Sequence, residues 1–363
     1  MTLHFYLAKR FTLSFLGVWL AFFAVNGLLD IVEQLRRFGG SDGGLSEMLL
    51  LSALNVPRAM YQLLPLVLIL STILCFLSLS RNSELVVIRA SGRSAIRMLL
   101  SPVLVTLIIS GIAVAAFNPI VAATSRAYES RTSALDDSAS TLALSEDGLW
   151  LRQGGDAQTV IWAQSSNLDG TLLGDVTFIQ SKPEIGIAER VEAKRAELIE
   201  GAWTLTDVKI WQLGSAENPE KTAQTLSEHQ IASNLTADKI RDSFGDPSSI
   251  SIWELPAFIE NLKQAGFAAK RHLVWLHAEL SQPVLFLTML LLGAAFSMRY
   301  QRGGGTTIRV MTAILLGFGL YFIRNFSMLL GESGQLPAAL SAWAPPLAGL
   351  TMSFAILLQL EDG

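Results

Sequence analysis

The sequence predicts a membrane α-helical protein: six transmembrane helices, three before and three after an inserted all-β domain. Three observations carry that prediction. Of the 363 residues, 51% are hydrophobic and only 16% are charged, and the mean hydropathy is +0.42, a balance foreign to water-soluble domains. Long charge-free runs lie only towards the two ends of the chain. Residues 126–279, between them, hold 14 basic and 23 acidic side chains, a net charge of −9. A polar block of that size between apolar runs is a folded domain outside the bilayer, and nothing in it is a polybasic face for nucleic acid.

Phe11–Leu29 is a run of 19 uncharged residues behind Lys9 and Arg10, long enough at about 1.5 Å per residue to cross a ~30 Å hydrocarbon core. It exceeds the apolar stretch of a signal peptide and lacks a small-x-small cleavage site, so it reads as the first span. Its flanking cations keep the N-terminus inside. Asp30–Arg58, with Asp30, Glu33, Asp42 and Glu47 and the turn-rich Gly-Gly-Ser-Asp-Gly-Gly at 39–44, is an outside loop. Ala59–Ser80 returns the chain to the cytoplasm over 22 uncharged residues, and Met98–Ser125 leaves again over 28, too many for a perpendicular crossing.

Between those runs lies Arg81–Arg97, where Arg81, Arg89, Arg93 and Arg97 face a single acid, Glu84. That excess of cations places the loop in the cytoplasm. Ser83 is a candidate N-cap, Glu84 suits the first turn, Leu85, Val86 and Ile88 supply an apolar side, and Gly92 is a stop. The outcome is a short cytoplasmic helix bearing one acid.

Inside the polar block, Gly148–Gln153, Thr159–Trp162, Asp175–Gln180 and Ala193–Leu213 alternate or are rich in β-formers, as in an antiparallel sandwich or jelly roll. After Asp246-Pro247 the period turns helical, with Leu255, Phe258, Ile259 and Leu262 on one face and Ser251-x-x-Glu254 as a candidate capping box. Leu280–Met298 is the fourth span, its cytoplasmic exit marked by Arg299, Arg302 and Arg309. The fifth runs from Val310 through Arg324, placed to snorkel at the outer boundary. Ser333–Leu360 is the sixth, and it ends in the cytoplasm. The resulting divisions are 1–125 with the cytoplasmic helix at 81–97, a β domain at 126–250, a helical connector at 251–279, and spans at 280–363.

Catalytic chemistry is missing from this sequence. No phosphate-cradling G-x-x-x-x-G-K-[ST] occurs, so Gly303-Gly304-Gly305 is a cytoplasmic turn, and no H-E-x-x-H is present. His272 and His277 stand at i, i+5 beside Glu279, a spacing that does not share a helix face, so no metal is expected. The single cysteine, Cys75, forms no intrachain disulfide. Binding chemistry is more telling: Arg36, Arg37 and Arg126 stand on the outer side, where the positive-inside rule disfavours them, and guanidinium groups hold phosphates or carboxylates bidentately.

These residues also carry a resemblance. Ser83-Glu-Leu-Val-Val-Ile-Arg-Ala-Ser-Gly92 is its most specific element, joined by Asp30-Ile-Val-Glu-Gln-Leu-Arg-Arg, Val56-Pro57, Trp203-x-Leu205, Gln282-Pro283 and Ile308-Arg-Val310. Through them the chain resembles the lipopolysaccharide-export permeases, the LptF/LptG family, over essentially its whole length, and is most like the G-type subunit. The resemblance implies a bacterial inner-membrane permease of outer-membrane biogenesis with a periplasmic β-jelly-roll domain. Its partners would be an F-type permease subunit, a cytoplasmic ATPase dimer that binds the ATP, a single-span periplasmic partner and a periplasmic bridge protein. Lipopolysaccharide would be the cargo. It further implies that Glu84, Leu85, Val86 and Arg89 couple the spans to the ATPase, and that Arg36, Arg37 and Arg126 meet lipid phosphates. No cofactor and no enzymatic activity of its own are expected. Asp30 and Glu129 depart from the family pattern, which is often basic there. The rivals are a permease of another lipid or lipoprotein exporter, which expects four spans with the outside domain after the first, and a non-transporting receptor or scaffold, which expects a cytoplasmic signalling domain.

Overall fold

The computed structural model describes residues 2–38, 44–90, 94–135, 143–145, 148–153, 158–166, 170–182, 186–199, 201–213, 218–233, 235, 246–264, 269–298 and 306–361. The expected turn at 39–43, Gly92, Arg93, Arg299, Arg302 and Gly303–Gly305 lie outside these residues. Two compact units emerge: one of residues 1–131, 248–255 and 270–363, the other of 132–247 and 256–269.

The first unit is helical. Helices α1 (Thr2–Phe38), α2 (Gly44–Arg81) and the short α3 (Glu84–Ala90) are followed by α4 (Ala95–Ile112), a π-helical turn at Ala113–Phe117 and α5 (Asn118–Leu135). After the β unit come α7 (Lys270–Ser297), α8 (Thr306–Glu332) and α9 (Ala338–Glu361), while α6 (Leu255–Gln264) falls, but for its first residue, in the second unit. Among the described residues, six helices are long and apolar enough to span a membrane, the α4–π–α5 run counting as one. The chain is a multi-pass membrane protein of the expected three-plus-three layout.

Helix formation here answers to the solvent. In hydrocarbon no water satisfies backbone groups, so a spanning segment must satisfy its own as a helix. Association then depends on close packing. A Cβ at Gly293 of α7 would lie 3.0 Å from Thr72 Cβ and 3.1 Å from the Ile69 carbonyl of α2, and one at Gly349 of α9 would lie 2.6 Å from Leu320 of α8. A side chain at Gly293 would press on the α2 backbone, and one at Gly349 would force the Leu320 and Thr288 side chains to turn aside. The buried cluster so formed includes Phe11, Phe76, Phe286, Leu290 and Met289.

Two boundaries differ from the sequence reading. Helix α7 begins at Lys270 rather than at Leu280, because the charges at 270–279 mark the edge of the hydrocarbon and do not interrupt a helix. Ser251 heads a turn before α6, with its carbonyl accepting from the amides of Glu254 and Leu255, each at 2.9 Å, and its hydroxyl accepting from Trp253. The turn rather than a capping box introduces that helix.

The second unit contains one antiparallel sheet, β1 (Ala143–Ser145), β2 (Gly148–Gln153), β3 (Gln158–Ser166), β4 (Leu172–Lys182), β5 (Gly186–Ile199), β6 (Ala202–Gln212) and β7 (Gln224–Ala232), with neighbours in chain order. The all-β insertion expected from the sequence is therefore present. Pairing skips Asp175 in β4, Lys194 in β5 and Asp207 in β6, and the buried alternation changes parity along that line. Leu173 gives way to Val176 and Phe178, Val191 and Ala193 to Ala196, and Trp203 and Leu205 to Val208 and Ile210. A sheet that switches its buried face along one line is folded across that line, which lets one meander wrap a core. Asp175 and Asp207 sit there at φ 49° and 55°, left-handed values that Asp tolerates better than most residues. Trp203 fills the core at 0% exposure, its ring edge-on to Phe178 and its indole N–H donating to Gln153 Oε1 at 3.3 Å.

This fold line is testable. Asp175→Val forces a β-branched residue to positive φ and is expected to cost about 1–3 kcal/mol, while Asp175→Gly should be close to neutral; chemical denaturation followed by tryptophan fluorescence measures both.

Candidate functional site

The chain leaves α2 after Arg81 and turns through Ser83, whose φ of 60° reverses its direction. Helix α3 follows at once, shorter than the 81–97 segment that the sequence marked. It is amphipathic in a particular way. Leu85 and Ile88 are 4% and 8% exposed and join the helical core, whereas Val86 and Val87 are 39% and 68% exposed. The expected apolar side is thus split: two residues fasten the helix down, and two valines are left facing outward.

Glu84 is fastened as well. Tyr6 of α1 donates its hydroxyl to Glu84 Oε2 at 2.7 Å, Arg10 donates to Glu84 Oε1 at 3.4 Å, and Arg10 Nε donates to the Tyr6 oxygen at 3.1 Å. The Arg10 guanidinium also lies 5.8 Å from the Tyr6 ring centre. The one acid of the basic loop is therefore held against the start of the first span. Sequence reading passed over Tyr6 and used Arg10 only as a topology signal; the i, i+4 spacing of these two residues on one helix face was the available clue. The Arg89 side chain lies outside what the structure describes.

The three outer arginines are not gathered into one cluster of contacts. Arg36 donates to Glu33 one turn earlier at 3.0 and 3.2 Å, Arg37 lies 5.6 Å from the ring centre of its neighbour Phe38, and Arg126 reaches Glu254 at 3.7 Å. The side chains of Arg36 and Arg126 are 76% and 55% exposed, so both pairs are solvated and weak. Asp30, one of the two acids that depart from the family pattern, accepts from Asn55 Nδ2 at 2.6 Å.

A second polar site was not foreseen. Arg324, expected to snorkel, is 8% exposed, and Glu279 is 1% exposed with the buried Tyr61 hydroxyl donating to it. Tyr61 is about 30 Å from the Arg81 end of α2, and Glu279 and Arg324 about 27 Å from the corresponding ends of α7 and α8. The three therefore share one level near the far face of the hydrocarbon. Next to it, the Tyr61 ring packs on Phe117 of the π turn at 5.7 Å. Asn118 Oδ1 accepts from the Ile252 amide at 2.9 Å, and the Ala115 carbonyl accepts from the Trp253 indole at 3.2 Å. Carbonyls that a π turn releases from the α-helical pattern need such partners.

With this geometry established, comparison with known proteins is decisive. The family described as lipopolysaccharide export system permease LptF/LptG matches residues 5–359. The chain belongs to that family. Curated relatives agree: the lipopolysaccharide export system permease protein LptG of Escherichia coli K12 is 24% identical over 98% of this chain and 97% of its own length. LptG of Haemophilus influenzae is 24% identical over 99% of both chains. The LptF/LptG match thus includes both α3 and all six spans, and its relatives bear the G-type name.

The anchoring of α3 has a measurable consequence. Replacing Tyr6 by Phe together with Arg10 by Met removes every hydrogen bond from α1 to Glu84, and backbone amide exchange in residues 84–90 is expected to quicken about tenfold while exchange in α7 stays unchanged.

Proposed function

We propose that this chain is the G-type permease subunit of an ATP-driven exporter that extracts lipopolysaccharide from the bacterial inner membrane and passes it to a periplasmic bridge. What carries the reading is the match to the export-permease family over residues 5–359, and the helical unit supplies parts that suit the task. The cytoplasmic ends of the spans carry α3, whose exposed Val86 and Val87 are a docking face for a separate ATPase dimer. Glu84, Leu85, Val86 and Arg89 are assigned to that coupling. The permease itself then needs no nucleotide site, and an F-type subunit completes the pair.

In this mechanism closure of the ATPase dimer displaces α3. The buried Leu85 and Ile88 and the Glu84–Tyr6–Arg10 bonds pass the displacement to the start of α1, so the first span moves as a lever. A cavity between the paired subunits narrows, and the lipid is expelled towards the β domain on the periplasmic side, where a single-span partner receives it. Acyl chains need an apolar path throughout, since each CH₂ exposed to water costs about 0.8 kcal/mol. Arg36 and Arg37 stand at the outer end of α1 and Arg126 midway along α5, all exposed, and the Arg36 and Arg126 pairs are weak and solvated, so a lipid phosphate can displace Glu33 or Glu254 at little cost. The N- and C-termini remain cytoplasmic.

Reconstitution of the chain with its F-type and ATPase partners tests this. Glu84→Ala should cut lipopolysaccharide release at least tenfold; undiminished release would remove Glu84 from the coupling. Arg36→Ala combined with Arg37→Ala should weaken photocrosslinking to lipopolysaccharide several-fold while leaving ATP hydrolysis in place.

A further inference from the structure

The third span changes its hydrogen-bond ladder at the π turn. There the Asn118 amide donates to the Ala113 carbonyl five residues back, and Pro119, next in the chain, has no N–H to offer. In a continued α-helix that N–H would meet the Ala115 carbonyl, whereas the proline ring strikes it. Ala115 therefore loses the partner that an α-helix would give it, and the Trp253 indole donates to this same oxygen at 3.2 Å. Ile252 adds its amide to Asn118 Oδ1 at 2.9 Å, and the asparagine is buried. Two consecutive residues of one strap serve the broken turn.

The two halves of the span are packed unequally. Helix α4 lies close against α1 and α7, whereas among the described residues α5 makes no comparably close backbone approach to another helix. Side-chain bonds tie α5 instead, from Gln34 to Tyr128 and from Arg131 to Glu47. At the break the side chains are small: Gly111 faces open space, and Ala115 and Ala116 are exposed. A helix with an interrupted ladder and little packing around the interruption bends there at low cost. Chain order gives the bend its importance. Helix α5 leads into the β unit, which the chain leaves after Pro247 and re-enters at Pro256, and the strap between belongs to the helical unit. The strap is thus joined to the β unit at both of its ends.

We propose that Ile252 and Trp253 are a latch that sets the bend of the third span, so that the helix leading into the β unit and the strap returning from it turn together. Trp253 suits the place. The π turn is about 30 Å from the start of α4, at the far face of the hydrocarbon, and the Trp253 ring is 69% exposed, as befits an indole at the level where such rings settle among lipid headgroups. Glu254, the next residue, pairs with Arg126 of α5 at 3.7 Å, but both side chains are exposed and the pair is too weak to fix the bend. In export, a consequence that rests on the function proposed above, a latched bend carries movement of the third span to the root of the β unit.

Double electron–electron resonance on the purified full-length chain in nanodiscs tests the latch without partners or cargo, so its failure leaves the export reading untouched. Nitroxides at Leu104→Cys in α4 and Ser130→Cys in α5, both exposed positions, in a Cys75→Ala background, lie about 39 Å apart along the span. Trp253→Phe, which keeps a ring but removes the donor, together with Asn118→Ala should widen the distance distribution about twofold. Pro119→Ala, which returns an N–H to the Ala115 carbonyl, should narrow it, and the same two changes made in that background should leave it narrow. An unchanged width in Trp253→Phe with Asn118→Ala would overturn the proposal. So would equal widening with and without Pro119, which would mark a general loosening of the fold.

Discussion

A polar group that no water can reach must find its partner within the protein, and the helical unit is arranged around that requirement. Each departure from a straight apolar helix is answered by a specific donor or acceptor. Pro345 in α9 has no N–H, which deprives the Ser341 carbonyl of its usual partner, and the Ser327 hydroxyl of α8 donates to that oxygen at 2.9 Å. The π turn at 113–117 is met by Trp253 and the adjacent Asn118 by the Ile252 amide.

The same requirement separates the two ends of the helical unit. At the α3 end, polar contacts are exposed or half-exposed, as in the Glu84–Tyr6–Arg10 set, and they orient a helix whose apolar residues provide the hold. Such contacts are weak individually and easily remade, which suits an element that must receive a push and transmit it. At the opposite end the Tyr61–Glu279 contact is buried, and breaking it would strand a carboxylate in a place without water. One end is suited to move and the other to hold.

In the β unit the constraint is a different one. A sequential seven-stranded meander has two free edges and one face to bury, so it must curve to enclose a core. The line through Asp175, Lys194 and Asp207 supplies the bend, and the Lys194–Asp207 pair at 3.6 Å decorates its outer side. On that outer face, Trp211 is flanked by Arg190 and Lys209 and donates to Glu220 at 2.7 Å. Glu220, held by Lys209 and Trp211, has its carboxyl kept below the usual range.

Much of this was legible in the residues themselves. Six runs free of charge, a basic loop with one acid, and a polar block of alternating strands follow from transfer free energies and strand periodicity, which are local properties of sequence. The S-E-L-V-V-I-R-A-S-G motif likewise pointed to the coupling helix. Yet the parity change at Asp175 and Asp207 escaped notice, because one unpaired position in the middle of a strand leaves a short run of alternation intact on either side. Arg324 misled for a related reason: hydropathy gives depth along a helix but not the direction in which a side chain faces. Whether Arg324 reaches outward or turns in against α2 and α7 depends on how three helices rotate about their axes, and that is set by packing among residues more than 200 positions apart, such as Tyr61 and Glu279. The number of spans and the nature of each segment were thus determined by the sequence alone, through solvent preference. The pairing of Glu84 with Tyr6 and Arg10, and that of Tyr61 with Glu279, were decided only by tertiary structure, since they exist only where separate helices are brought side by side.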